Sequence, residues 1–239
     1  FITIGNSNYH SLQTSFKHRS GPLELLGAYT FSKSIDDSSG WGDQVNVVNQ
    51  RLGRAISSFD VTHNFVVSYS YEMPFGRWFG HHRLSDGWMI SGITRFSTGL
   101  PITLRENDDN SLLGTRFTGP NGNGVDTPNF NGGTLHFADP RSGQPYFDPN
   151  LFSKELVGQL GTANKRMFHG PGINNWDISL LKDTKITESK LLQFRFEFFN
   201  AFNHAQFRNP SGSVLNGTFG YVTGARDPRI GQVALKLLF

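Results

Sequence analysis

Hydrophobic and polar positions alternate with a period of two along much of the chain, and the 3.6-residue spacing of an amphipathic helix is scarce. The clearest stretch sets Phe65, Val67, Tyr69, Tyr71 and Met73 against Asn64, Val66, Ser68, Ser70 and Glu72. A second sets Leu192, Phe194, Phe196 and Phe198 against Gln193, Arg195, Glu197 and Phe199. A third sets Val233, Leu235, Leu237 and Phe239 against Gln232, Ala234, Lys236 and Leu238. The same form recurs in Leu12–Lys17, Leu23–Ser32, Trp88–Ser97 and Trp176–Leu181, which brings the candidate strands to seven.

The connections differ in length. Ser20-Gly21-Pro22 and Thr187-Glu188-Ser189-Lys190 read as tight turns, and Pro74 to Asp86 as an intermediate one. The stretches at about 34–60, 99–174 and 200–229 are long and rich in Gly, Asn, Asp and Pro. Structureless loops beyond about 12–15 residues are uncommon in compact domains. Short turns on one rim and long loops on the other are the pattern of an outer-membrane barrel. The expected fold is therefore all-β: about seven strands of an antiparallel up-and-down transmembrane β-barrel, with long extracellular loops and residues 1–239 as one segment. A soluble β-sandwich also alternates and stays open as an alternative, its rings filling a core instead of a membrane girdle.

Composition narrows the function. Charged residues are 17% of the chain, below the roughly 25% of soluble domains, while Phe numbers 22 and Gly 27. The absence of Cys excludes a disulfide framework, Cys-ligated zinc and thiol catalysis. A net charge of +3 makes no case for nucleic acid. No apolar run reaches the 18 residues of a membrane helix, but membrane strands need only about 9–11 alternating residues. The chain starts at Phe1 without the pattern of a signal peptide and reads as a fragment or a mature piece.

Charges are placed by the same alternation. Glu24, Arg95, Asp177, Arg195, Glu197 and Lys236 fall on the polar side of their strands, the side expected to line the lumen. An Arg turned to mid-membrane lipid would cost about 2–4 kcal/mol, and the Leu192–Phe198 face carries no charge. Arg195 and Glu197 read either as lumen lining that meets plug or substrate, or as a pair satisfying itself beside water.

Several phrases, in order along nearly the whole chain, resemble the C-terminal barrel of TonB-dependent outer-membrane receptors of the Oar-like (carboxypeptidase-regulatory-like) subgroup. They are Tyr9-His10-Ser11-Leu12-Gln13, Gly27-Ala28-Tyr29-Thr30-Phe31-Ser32-Lys33-Ser34-Ile35-Asp36-Asp37, Thr62-His63-Asn64-Phe65 to Met73-Pro74-Phe75-Gly76, and Gly87-Trp88 to Thr98-Gly99-Leu100-Pro101. Gly170-Pro171-Gly172-Ile173-Asn174-Asn175-Trp176-Asp177, Phe194 to His204, and Ala225-Arg226-Asp227-Pro228-Arg229 to Phe239 complete the set. The resemblance implies a barrel of about 22 strands closed by an N-terminal plug, powered by an inner-membrane TonB complex and set in the outer membrane of a Gram-negative cell. No plug domain or TonB-contacting box is found in this chain, so it would be the last third of such a receptor and would not transport alone. Val233, Leu235, Leu237 and Phe239 resemble the C-terminal signal that the barrel-assembly machinery captures by strand addition. The implied partners are outer-membrane lipid, that machinery, the TonB complex through regions outside this chain, and an unidentified substrate.

No catalytic motif appears: HExxH, GxSxG, Walker A and a strand-borne GxGxxG are all missing, and the chain is expected not to be an enzyme and to need no cofactor or metal. His81-His82 reads as a solvated turn, and Gly119 to Gly124 as loop chemistry. Glu106 to Asn110 suggests calcium by composition but lacks the spacing and Gly of an EF-hand. The 99–174 loop is the best candidate for substrate contact, through Tyr146, Phe147 and Phe152, which could equally pack onto the barrel mouth. An adhesin or structural barrel without transport is a further alternative, as is glycan binding or adhesion by a secreted sandwich.

Overall fold

The computed structural model describes residues 5–40, 43, 46, 49–106, 108–113 and 126–239. The strands are β1 (Ser7–Ser20), β2 (Leu23–Asp36), β3 (Ala55–Ile56), β4 (His63–Glu72), β5 (Trp88–Ser97), β6 (Asn129–Phe130), β7 (Phe152–Ser153), β8 (Ile173–Lys185), β9 (Leu191–Phe199) and β10 (Ile230–Leu238). One short helix, α1 (Phe75–Phe79), follows β4. Each of the seven stretches with period-two alternation is a long strand. Phe1 to Ile4 and the Gly119–Gly124 run lie outside the described residues.

The long strands form one antiparallel sheet in the order β1-β2-β4-β5-β8-β9-β10, with β3 pairing the end of β2. Neighbours in space are neighbours in sequence, as an up-and-down meander requires. Gly21 takes a φ of +53° in the turn between β1 and β2, a left-handed conformation that glycine adopts without strain.

Register sorts the side chains onto two faces. Phe65 pairs with Tyr29 and Phe96, Leu180 with Ile90 and Phe196, and Phe194 with Leu235. These positions, together with Val67, Tyr71, Trp88, Trp176 and Leu192, make a continuous apolar face. The opposite face carries the Ser70–Ser91–Ser179–Glu197 row. A sandwich would cover the apolar face with a second sheet. The only other ladder among the described residues is the pairing of β6 with β7, and Phe198, Phe65 and Leu12 remain 45%, 40% and 63% exposed. The chain therefore builds a single-layer wall, and the sandwich alternative fails.

Both lateral edges are bare. β1 and β10 each have one neighbour, and every residue of both is exposed. The hydrophobic core sits elsewhere, in the long loops: Ile102, Leu104, Tyr146, Phe147, Phe152, Ala163, Phe168 and Phe219 are buried together.

Candidate functional site

The three long connections, 37–62, 98–172 and 200–229, converge on one rim. Phe147, 1% exposed, is the hub of a core shared by the last two, with ring centroids 5.1 Å from Phe168, 5.2 Å from Phe219 and 5.6 Å from Phe152. Burying such a ring stabilises by about 1.5–3 kcal/mol. Backbone bonds stitch the last two loops together: Arg105 N donates to Gly212 O at 2.9 Å, and Tyr146 N to Gly220 O at 2.8 Å. Gly212 is required there, because a Cβ would lie 1.9 Å from Thr103 O.

The first loop is held by charge. Arg166, 1% exposed, donates through Nη2 to Asp43 at 2.9 Å, Ser39 Oγ at 2.9 Å and Asp36 at 3.3 Å, and through Nε to Ile56 O. Lys165 reaches Asp43 at 2.8 Å, and His169 reaches Asp60 at 2.8 Å. Burial pushes the Asp43 carboxyl up, but the Arg166 hydrogen bond and the Lys165 charge outweigh it and hold the group below its ordinary value. With no Cys in the chain, this network takes the place a disulfide would fill. The result is a folded cap.

Beneath the cap, the polar face opens into a cleft of about 330 Å³ lined by Arg95, Asn175, Asp177, Asn200, Arg226 and Asp227, among others. Asp177 Oδ1 accepts from Asn175 Nδ2 at 3.0 Å and from Asn200 N at 2.9 Å, and Arg95 Nε donates to Asn64 Oδ1 at 3.0 Å. The return from β9 is shaped by two asparagines. Asn200 and Asn203 take φ of +51° and +53°, a region Asn tolerates better than most residues. The Asn200 amide exchanges bonds with the His204 backbone at 2.8 and 2.9 Å, and Asn203 Oδ1 accepts from Arg229 N at 2.9 Å.

The six charges expected to face inward all lie on the polar face. Arg95 and Asp177 meet in the cleft. Arg195 pairs with Glu197, which also accepts from Gln232, farther down the wall. Glu24 stands opposite Arg19 and Ser70, and Lys236 opposite Gln193, both toward the short-turn rim. Of the two readings open for Tyr146, Phe147 and Phe152, substrate contact or packing, burial favours packing: they are interior to the cap at 9%, 1% and 6% exposure. Their rings are spent on packing. Val233, Leu235 and Leu237 line the apolar side of β10, and Phe239 follows it at 94% exposure.

Sequence reasoning gave no role to Arg166, Lys165, Asp43, Asp60 and His169, and read Asp36 only within a recognised phrase. No local motif joins residues some 110 to 130 positions apart, as the Arg166 bonds to Ile56 and Asp36 do. Arg226 and Asp227 stood in a recognised phrase, but nothing local placed them beside Arg95. His81 bonds Asp86 at 2.9 Å on an exposed turn. Among the described residues, no three His, Asp or Glu side chains converge as a metal cluster, and no helix is long and apolar enough to cross a membrane, which says nothing of strands.

Residues 2–232 match a family model described as an outer membrane beta barrel domain. No curated protein and no solved structure was found to match the chain.

Proposed function

The chain belongs to the outer membrane beta barrel domain family and resides in the outer membrane, and from that premise we propose that it is the C-terminal arc of a TonB-dependent receptor of the Oar-like kind, taking up an unidentified substrate. The carrying observation is the pair of unpaired edges, β1 and β10, beside a folded cap. Hydrocarbon does not tolerate bare strand edges, so in this reading further strands join both sides. Extended to the 22 strands of such receptors, the barrel would have a lumen that a plug fills.

In this reading the short turns are periplasmic and the cap is extracellular. The apolar face meets lipid tails, and Glu24, Arg95, Asp177, Arg195, Glu197 and Lys236 line the lumen. The cleft of mixed charge, with Arg95 and Arg226 beside Asp177 and Asp227, suits a polar or zwitterionic solute passing under the cap. The barrel-assembly machinery would capture β10 and Phe239 by strand addition. The TonB complex would engage regions outside this chain.

The test uses the intact receptor purified from outer membranes. Immobilised periplasmic domain of TonB should retain it, and cells lacking TonB should lose receptor-dependent uptake from a mixture of labelled medium solutes. Uptake that is indifferent to TonB, with no retention, overturns transport and leaves a static barrel.

A further inference from the structure

Two carboxylates inside the cap face each other with no other side chain or backbone group donating to them. Glu106 is fully buried and Glu155 is 3% exposed, and none of their four side-chain oxygens receives a hydrogen bond. The two groups face each other within hydrogen-bonding range. Their backbones are fixed in place: Glu106 N donates to Asp126 O at 3.1 Å, and Asn110 Nδ2 donates to Glu155 O at 3.3 Å. Asp126 is itself tied to Ser111, whose Oγ and N donate to its carboxylate at 2.6 and 3.2 Å. Lys154 lends positive potential, but its ammonium is held by Asp108 at 2.5 Å on the surface, where the two side chains are 44% and 43% exposed.

A buried carboxylate needs a donor or a counter-ion, and two facing ones need it more. Burial, with the facing Glu155 carboxyl, pushes Glu106 up to about 8. A single shared proton would serve one oxygen of each group and leave the other two buried without a donor. A cation would serve all four.

We propose that Glu106 and Glu155 form a divalent-cation site of the calcium class inside the cap. The donors are all hard oxygens, with neither His nor Cys among them, which selects calcium over zinc or copper. Two bidentate glutamates supply four oxygens, and main-chain carbonyls and water complete the six to eight that calcium takes. The site lies apart from the cleft and stands whether or not the protein transports. Its effect is to join residue 106 to residue 155 across the longest loop.

The experiment uses the intact detergent-folded protein, freed of lipopolysaccharide, with calcium chloride as the probe. Extracellular calcium modules bind at roughly 10⁻⁴–10⁻³ M. At ~10 mM calcium the population of locally opened cap should fall ~10–100-fold, and proteolysis within 99–174 should slow by that factor relative to chelator. The Glu106→Gln/Glu155→Gln variant, whose amides can bond each other, should lose the calcium dependence. Asp139→Asn, a surface change in the same loop, should keep it. Equal cleavage of the unaltered protein with calcium and with chelator overturns the proposal even if the double variant does not fold. So does a calcium effect that persists in the double variant.

Discussion

Replacing Leu180 and its neighbour Ser179 by Arg, one at a time, measures which medium touches each face. Both lie near the middle of the 13-residue β8. Leu180 stands between Ile90 and Phe196 on the apolar face, and Ser179 between Ser91 and Glu197 on the polar one. An Arg at the bilayer midplane costs about 2–4 kcal/mol on the lipid side of a barrel. At about 1.4 kcal/mol per tenfold, Leu180→Arg should cut the folding equilibrium by roughly 30- to 700-fold. Ser179→Arg gains a carboxylate across the ladder and should change it by less than about 1 kcal/mol. The assay is urea-dependent folding of the intact barrel into phospholipid vesicles, read by heat-modifiable gel migration. Two adjacent residues share the same depth and strand and receive the same side chain, so the contrast reads the face. Equal losses, or a larger loss at Ser179, would refute the assignment.

Other perturbations address the cap. Phe147→Ala should destabilise it by about 3–5 kcal/mol, seen as faster amide exchange through 145–152 and 219–221 with the strands unchanged. Arg166→Met removes the guanidinium that Asp36 and Asp43 share, leaving Asp43 to Lys165 and Asp36 to Ser39, and should release the 37–62 loop at a cost of up to about 3–5 kcal/mol, seen as protease cleavage there. Asp43 is held below the ordinary carboxylate range, so its contribution is present above that range and is lost as pH falls through the folded value. Exchange protection at Ile56 and Ser57 should therefore weaken below about pH 4 and be flat from pH 5 to 7. Deleting Phe239 from the full-length protein should lower outer-membrane yield in a membrane immunoblot, and an unchanged yield would count against the assembly signal.

The wall was legible because its physics is periodic. Phe194, Phe196 and Phe198 announce one face two residues at a time, and lipid and water impose that rule on every strand. The strand ends were harder. β2 runs on to Asp36, past the point where apolar alternation stops at Ser32, because Ser34 and Asp36 are sheltered by the returning loop: Ser32 Oγ donates to Val61 O at 2.9 Å and Ser34 N to Asp60 at 2.5 Å. The cap could not be read at all. Tyr146 and Phe152 look alike as exposed binding rings or as core until Phe168 and Phe219 are seen against Phe147. Glu106 and Glu155 could not be paired from spacing, because the EF-hand template seeks all its ligands within twelve residues. Arg95 and Asp177 could be given a face but not a shared cleft, which needed Arg226 and Asp227 from the last loop.

The salt-bridged joint around Arg166 fixes an order of events. Its partners are separated by well over a hundred residues, and the entropy of closing so long a loop cannot be met until neighbouring strands have already brought the two ends together. The wall must therefore zip before the cap condenses. A nascent chain travelling toward the membrane would carry these stretches loose and pliable, and their setting would mark the moment at which the barrel is finished.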